Sequence, residues 1–204
     1  MKKILISYFE PFGKEMKNSS ELTVNAYFKQ YREAKNRVVS VKLPTTFKDS
    51  ASMITEKISN ETPDAIIMLG QAAGRETISI ERVAINIIDA RIPDNNGEQP
   101  IDKPVIPGGK NAYFSKLHTR EIKEALEKKN IPITISYSAG TYVCNYLFYS
   151  VMYFIEHKKL ETLAGFVHLP LSSSQIEENS DKPSLNQLML VDGINEIIKV
   201  CDKR

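Results

Sequence analysis

A chain of 204 residues in which 42% of side chains are hydrophobic can bury a substantial core without disulfides, and it fits one domain, spanning 1–204, better than two. Lys and Arg number 27 against 25 Asp and Glu, leaving a formal charge of +2 with no basic block or aromatic-interleaved basic stripe, which argues against a nucleic-acid partner. The cysteines Cys144 and Cys201 and the histidines His118, His157 and His168 are scattered without metal-ligand spacing, so no metal site is expected.

The amino-terminal "MKKILISYFEPFG" carries two lysines and an apolar run that breaks at Glu10-Pro11, short of a signal peptide, and 4–8 reads as a first strand. No apolar segment approaches the roughly twenty residues that span a bilayer. The expectation is therefore no membrane partner and a reducing cytoplasm, where a cysteine is more often free or catalytic than bridged. "VVSVKL" (38–43) alternates and "AIIMLG" (65–70) is a buried run, with helix-like spacing over about 20–35 and 46–60. Such alternation predicts an α/β layered fold with a largely parallel sheet. "ISIERVAINIIDA" (78–90) is too β-branched for a helix and predicts a hairpin or an antiparallel addition to the sheet. Residues 91–112 concentrate Pro and Gly and read as a loop; one that long is usually functional or disordered. A helix over 115–129, a strand over 133–137, a helix carrying Cys144 to about His157, and a strand over 165–170 follow. The last helix is predicted to open at Ser184-Leu-Asn-Gln187, whose S-x-x-Q spacing fits a capping box.

In open α/β sheets, sites gather at the carboxyl ends of strands, so the segments just after each apolar run are the ones to inspect. Cys144 stands three residues after Thr141; with Thr141 as N-cap the thiol lies in the first helical turn, where free N–H groups lower a thiol pKa. The surrounding "VCNYLFYSVMYF" equally suits a small buried hydrophobe. His168 falls near a strand end, and the strand following the Cys144 helix should lie beside the strand preceding it, within reach of the thiol; alternatively it is a polar strand-end residue with no task. Glu81 interrupts a β-branched run and either orients a histidine or forms a structural pair with Arg75 or Arg91; Arg82 points to the opposite face. "LGQAAGRE" lacks the spacing of a phosphate loop. Phe9 and Phe12 bracket Pro11 and suit either an apolar ligand wall or the core. His118 and His157 lie in Lys- and Glu-rich helical segments, on solvated faces.

These residues together resemble the pyroglutamyl peptidase family, cysteine peptidases that remove N-terminal 5-oxoproline. The resemblance is carried by six ordered blocks: "FEPFG" at 9–13, "LPTTF" at 43–47, "GQAAGRETISIERVAIN" at 70–86, "DARIPDN" at 89–95, "SAGTYVCN" at 138–145 and "GFVHLP" at 165–170. It implies a three-layer α/β/α sandwich of the phosphorylase/hydrolase-like kind, with Cys144 as nucleophile, His168 as base and Glu81 as the acid orienting it. It further implies that Phe9, Phe12, Asn18, Thr45, Gln71, Arg91, Ile92, Tyr142 and Val143 surround the substrate ring, that no cofactor is used, that the partners are peptides with an N-terminal pyroglutamyl residue, and that the chain forms a homotetramer. The sequence departs from the family pattern in the first loop, where Ser7-Tyr8 replaces a Thr-Gly pair, Glu10 an Asp and Lys14 a Gly; Tyr142 stands where Phe is usual, Ala73-Gly74 where Gly-Gly is usual, and Asn18-Ser19 where Asn-Pro is usual. Two other readings are a non-catalytic α/β ligand-binding domain, which an inert Cys144 would favour, and a nucleoside or sugar phosphorylase, which would need phosphate for turnover.

Overall fold

Six strands of the computed structural model form one twisted sheet flanked by helices on both faces, and residues 2–177 and 181–203 are described. β1 (Ile4–Phe9), β2 (Val38–Leu43) and β3 (Ala65–Gln71) pair in parallel, as does β8 (Leu163–Leu169) on the far side of β3. β3 is buried along its whole length, the property of a central strand covered on both faces. Next to β8 lies β4 (Ile78–Glu81), antiparallel to it, and β7 (Ile133–Ser136) closes the edge parallel to β4, giving the order β2-β1-β3-β8-β4-β7. The sheet is thus mixed and mostly parallel.

One face of the sheet packs on α1 (Ser19–Gln30), α3 (Thr119–Glu127) and α5 (Gln187–Asp202) through Ile67, Leu69, Val167 and Leu169. The other packs on α2 (Phe47–Glu61) and α4 (Val143–His157) through Ile66, Met68, Ala164 and Phe166. Successive strand residues alternate between these two cores, as the two-residue period requires. α4 is apolar nearly all round because it is enclosed: it packs on β8, on α2, and on the small sheet made by β5 (Val83–Ile85) and β6 (Ala112–Phe114). Among the described residues no helix is long and apolar enough to cross a membrane.

Several sequence expectations change in detail. The antiparallel addition is β4, but the 78–90 run splits at Arg82, and β5 leaves the main sheet to pair with β6. The helix expected from 115 starts at Thr119: β6 takes 112–114, and the next two backbone N–H groups bond elsewhere, Ser115 N to Arg82 O and Lys116 N to Ala164 O. β8 does not lie beside β7: β4 comes between them. Asn186, not Ser184, caps α5, accepting from Leu188 N at 2.8 Å, while Ser184–Leu185 (β10) pair with Leu171–Ser172 (β9). A capping box does occur, at the short 3₁₀ turn Ser173–Gln175 after β9.

The 91–112 segment is irregular up to β6 but pinned. Asp94 accepts from Asn96 N, Glu98 N and, across to α2, Phe47 N. Asn95 Nδ2 donates to Glu10 Oε1 at 2.8 Å and to Pro11 O at 3.0 Å, so this loop holds the first loop in place. Glu10 Oε1 also accepts from Thr45 N at 3.3 Å, so one carboxylate joins both neighbours.

Candidate active site

Strand parity assembles the chemistry on the α4-facing side. Gly70 is level with His168 across the parallel β3–β8 pair, and Ser79 is level with His168 across the antiparallel β8–β4 pair. Glu81, two residues beyond Ser79, therefore shares that face and is the diagonal neighbour of His168. Phe166, two residues before His168, projects the same way and its ring lies 4.8 Å from the imidazole. Because Gly70 has no side chain, the start of α4 can approach β3: a Cβ at Gly70 would stand 2.8 Å from Phe166 Cζ and 3.0 Å from Cys144 Sγ.

Cys144 is the second residue of α4. The expected cap is displaced by one: Tyr142 occupies the N-cap without a side-chain cap bond, and Thr141 instead donates from Oγ1 to Asp89 O at 2.8 Å while its carbonyl accepts from Asp89 N at 3.0 Å. That two-way clamp ties the start of α4 to the 89–95 segment.

Glu81 is fully buried, and its Oε1 meets His168 Nδ1 at 2.7 Å and accepts from Arg75 Nη1 at 2.7 Å. Burial alone would raise the Glu81 pKa, but the hydrogen bond from His168 and the Arg75 guanidinium hold it below the ordinary carboxylate value. An ionised carboxylate can only accept, so His168 carries its proton on Nδ1 and Nε2 is left as an acceptor. Burial lowers the His168 pKa by more than Glu81 raises it, so the imidazole rests neutral. Arg75 also donates from Nη2 to Ser138 O at 3.2 Å, linking the loop after β3 to the loop before α4. Glu81 is thus at once the partner of His168 and half of an ion pair with Arg75; the two alternatives posed by the sequence coexist on one oxygen.

The expectation of a lowered thiol pKa is corrected. Burial first, and repulsion from Glu81 second, push the Cys144 thiol up to about 12, against smaller opposing effects of Arg75 and its own backbone N–H. The helix start is outweighed by the packing around the sulfur, although Cys144 is only partly buried where it lines the cleft.

Cys144 and His168 open on a cleft of about 650 Å³ that is also lined by Phe12, Gln71, Arg75, Arg91, Ile92 and Tyr142. The rings of Phe12 and Tyr142 lie 6.2 Å apart, and Phe47 packs edge-on to Tyr142 at 5.5 Å. The hydroxyl of Tyr142 donates to Pro93 O at 2.9 Å, fastening the 91–112 loop to the cleft wall. Phe9, Asn18, Thr45 and Val143 are buried and are not among the residues that line the cleft. Asn18 caps α1, accepting from Ser20 N and donating to Glu10 O, and Thr45 donates from Oγ1 to Glu10 O. His118 and His157 lie outside the cleft, at the N-cap of α3 and the last turn of α4. Cys201 is buried in the α5 core. Sequence reasoning missed Gly70 and Gln175, and took Arg75 only as a structural partner; the parity of "MLGQ" against "FVHL" was the available signal for Gly70.

A thiol, a neutral imidazole and a buried carboxylate behind it, converging at the mouth of an α/β sheet, are the parts of a cysteine hydrolase. The profile of the family described as pyroglutamyl peptidase matches residues 2–204. The pyrrolidone-carboxylate peptidase 1 of Caldanaerobacter subterraneus subsp. tengcongensis is 44% identical over 201 residues, covering 98% of each chain. That of Brachyspira hyodysenteriae is 43% identical over 197 residues, covering 97% of each. The crystal structure of Bacillus amyloliquefaciens pyroglutamyl peptidase I superposes with a TM-score of 0.92 at 37% identity, covering 100% of this chain and 98% of that one. The pyrrolidone carboxyl peptidase of Thermococcus litoralis gives 0.91 at 35% identity, covering 100% and 94%. The chain belongs to the pyroglutamyl peptidase family.

Proposed function

We propose that this chain is a cysteine peptidase that hydrolyses the peptide bond following an N-terminal pyroglutamyl residue, with Cys144 as nucleophile, His168 as general acid and base, and Glu81 as the residue that orients and stabilises His168. The observation that carries the residue assignment is the 2.7 Å contact from His168 Nδ1 to buried Glu81, which leaves Nε2 as an acceptor in the cleft that Cys144 also lines. As Sγ attacks the scissile carbonyl carbon, the thiol proton passes to His168 Nε2, and Glu81 balances the imidazolium. His168 then returns the proton to the leaving amine, giving a thioester and the shortened peptide. Water, deprotonated by His168, attacks the thioester; pyroglutamate leaves and the proton goes back to sulfur. A thiol with a raised pKa requires this proton transfer to accompany attack. Backbone N–H groups at the start of α4 and the guanidinium of Arg91 stabilise the oxyanion.

A pyroglutamyl ring is a flat lactam without a charged amine, and it calls for apolar walls and a few polar contacts. Phe12, Ile92 and Tyr142 supply walls and Gln71 a polar contact, with Phe9, Asn18, Thr45 and Val143 shaping the wall from behind. We further infer a reducing, cytoplasmic setting, in keeping with the free thiols of Cys144 and Cys201, and, by likeness to the family, a homotetrameric assembly. Incubation with matched peptides beginning with pyroglutamate, glutamine or glutamate tests the substrate: only the first is cleaved, because an ammonium or carboxylate pressed on these walls loses hydration without a partner. Comparable cleavage of all three would instead indicate a general aminopeptidase.

A further inference from the structure

Two backbone N–H groups fix which way round two carboxamides sit beside the cleft. An N–H only donates, so the side-chain atom 2.8 Å from Ser19 N is Oε1 of Gln71, and the atom 2.8 Å from Ser172 N is Oε1 of Gln175. The second assignment leaves Gln175 Nε2 facing away from its own turn, where it donates to Gln71 Oε1 at 2.8 Å and to Lys17 O at 3.3 Å. Gln71 Oε1 therefore accepts two hydrogen bonds and has no lone pair to spare. Its Nε2 has no partner among the described residues, on a residue that is 7% exposed and lines the cleft with Cys144 and His168. An almost buried amide donor with no protein acceptor is arranged to meet an oxygen of the ligand.

We propose that Gln175 is a positioning residue that makes the site select a ring carbonyl, by locking the Gln71 carboxamide with its NH₂ toward the cleft. The identity of that oxygen, the lactam carbonyl of a pyroglutamyl residue, rests on the peptidase reading above. Gln175 reaches Gln71 because the turn after β9, held by its own capping box, folds back over the end of β3. Without its donor, Gln71 is oriented by Ser19 N–H alone. With an acceptor in its place, the Gln71 amide is drawn round to offer NH₂ to residue 175 and an oxygen to the cleft, opposite the ligand oxygen.

Two substitutions separate this role from a purely structural one. Gln175→Glu keeps an oxygen for Ser172 N–H, and so keeps the turn, while replacing the one atom that faces Gln71 and, at a longer 3.3 Å, Lys17 O. Gln175→Ala loses all three bonds, those with Ser172 N–H, Gln71 Oε1 and Lys17 O. The probes are 2-pyrrolidone, the lactam ring alone, as a competitive inhibitor, and a fluorogenic pyroglutamyl amide as substrate; iodoacetamide inactivation without ligand and a melting curve report the thiol and the fold. The expected result is a rise in the inhibition constant of 2-pyrrolidone, and a matching rise in KM, of about two- to tenfold in Gln175→Ala and about ten- to a hundredfold in Gln175→Glu, with kcat and the iodoacetamide rate much less affected. A structural role gives the opposite order, with Ala worse than Glu, and that order or a wild-type inhibition constant in Gln175→Glu would overturn the proposal. Should Gln175→Glu not fold, Gln175→Ala is measured in a Gln71→Ala background: no further rise supports the proposal, and an additive rise overturns it. Wild-type protein that fails to turn over the amide overturns the peptidase reading and this proposal together, whereas normal wild-type turnover with indifferent variants overturns only the proposal.

Discussion

Replacing Glu81 by Gln keeps the size of the side chain and one acceptor oxygen, and removes its charge. In the resting enzyme little is lost, because the amide oxygen can still accept from His168 Nδ1 and from Arg75 Nη1, each 2.7 Å from Oε1. Arg75, with 29% of its side chain exposed and a second bond to Ser138 O, retains water and a carbonyl as partners. The loss in stability is therefore expected to stay within about 1–2 kcal/mol. The transition state is different, since His168 is then an imidazolium facing a neutral amide. A hydrogen bond to a charged group contributes about 1.5–3 kcal/mol, and two unit charges about 4 Å apart attract by roughly 4 kcal/mol at an effective dielectric constant of about 20. These limits correspond to a fall in kcat of about ten- to a thousandfold. KM should change little, and His168→Ala should cost more, because it removes the group that carries the proton. The assay is kcat normalised to titratable Cys144, measured beside a thermal melt. A lower melting temperature with wild-type kcat in the folded fraction would reduce Glu81 to a structural partner of Arg75 and refute the reasoning.

In Gly70→Ala the new Cβ would lie 2.8 Å from Phe166 Cζ and 3.0 Å from Cys144 Sγ, so overpacking should cost about 1–3 kcal/mol and displace the thiol; kcat at least tenfold lower in folded protein is expected, and an unchanged kcat would show that the close approach at β3 does not matter. With the Cys144 thiol pushed up to about 12, its alkylation by iodoacetamide should accelerate steadily from pH 7 to 10, while a plateau below pH 8 would indicate a preformed thiolate. The His168 pKa is lowered from 6.5, so the unfolded chain takes up that proton first as pH falls; this contribution to stability is complete above about pH 6.5 and is lost on descending through the folded value. The melting temperature should accordingly drop between pH 7.5 and 5.5, and drop less in His168→Gln; equal slopes would contradict a neutral buried imidazole.

The sheet's order of layers was legible because its strands are continuous apolar runs separated by helix-period segments, and β1, β2, β3 and β8 fall within a residue or two of their expected limits. The position of β4 was not legible. A run such as "ISIE" signals a strand but carries no mark of which neighbours it takes, and its insertion between β8 and β7 is what brings Glu81 diagonal to His168. Residues with local chemical oddity, such as Glu81 among β-branched neighbours or a histidine near a strand end, stood out in sequence. Those acting through long-range contacts did not: Gln175 meets Gln71 across 104 positions, and Asn95 meets Glu10 across 85. Thr141 looked like a helix cap because Thr commonly is one, but α4 begins at Val143 with Tyr142 as its N-cap, and Thr141 is held one residue outside it by its two-way bonding to Asp89. The thiol pKa was misjudged for the same reason, since the helix terminus is visible in sequence and the enclosure around Cys144 is not.

Release of a fluorogenic amine from its pyroglutamyl conjugate, followed for the wild-type chain, for Cys144→Ala and Cys201→Ala, and for wild type treated with iodoacetamide, bears most directly on the assignment of peptidase activity to Cys144. Both cysteine variants should fold, Cys144→Ala because alanine is a good helix former at the second position of α4. Turnover is predicted in the wild type and in Cys201→Ala, and its complete loss in Cys144→Ala and after alkylation. Sustained turnover in folded Cys144→Ala would contradict the thiol mechanism, and no turnover in the untreated wild type would contradict the assigned activity.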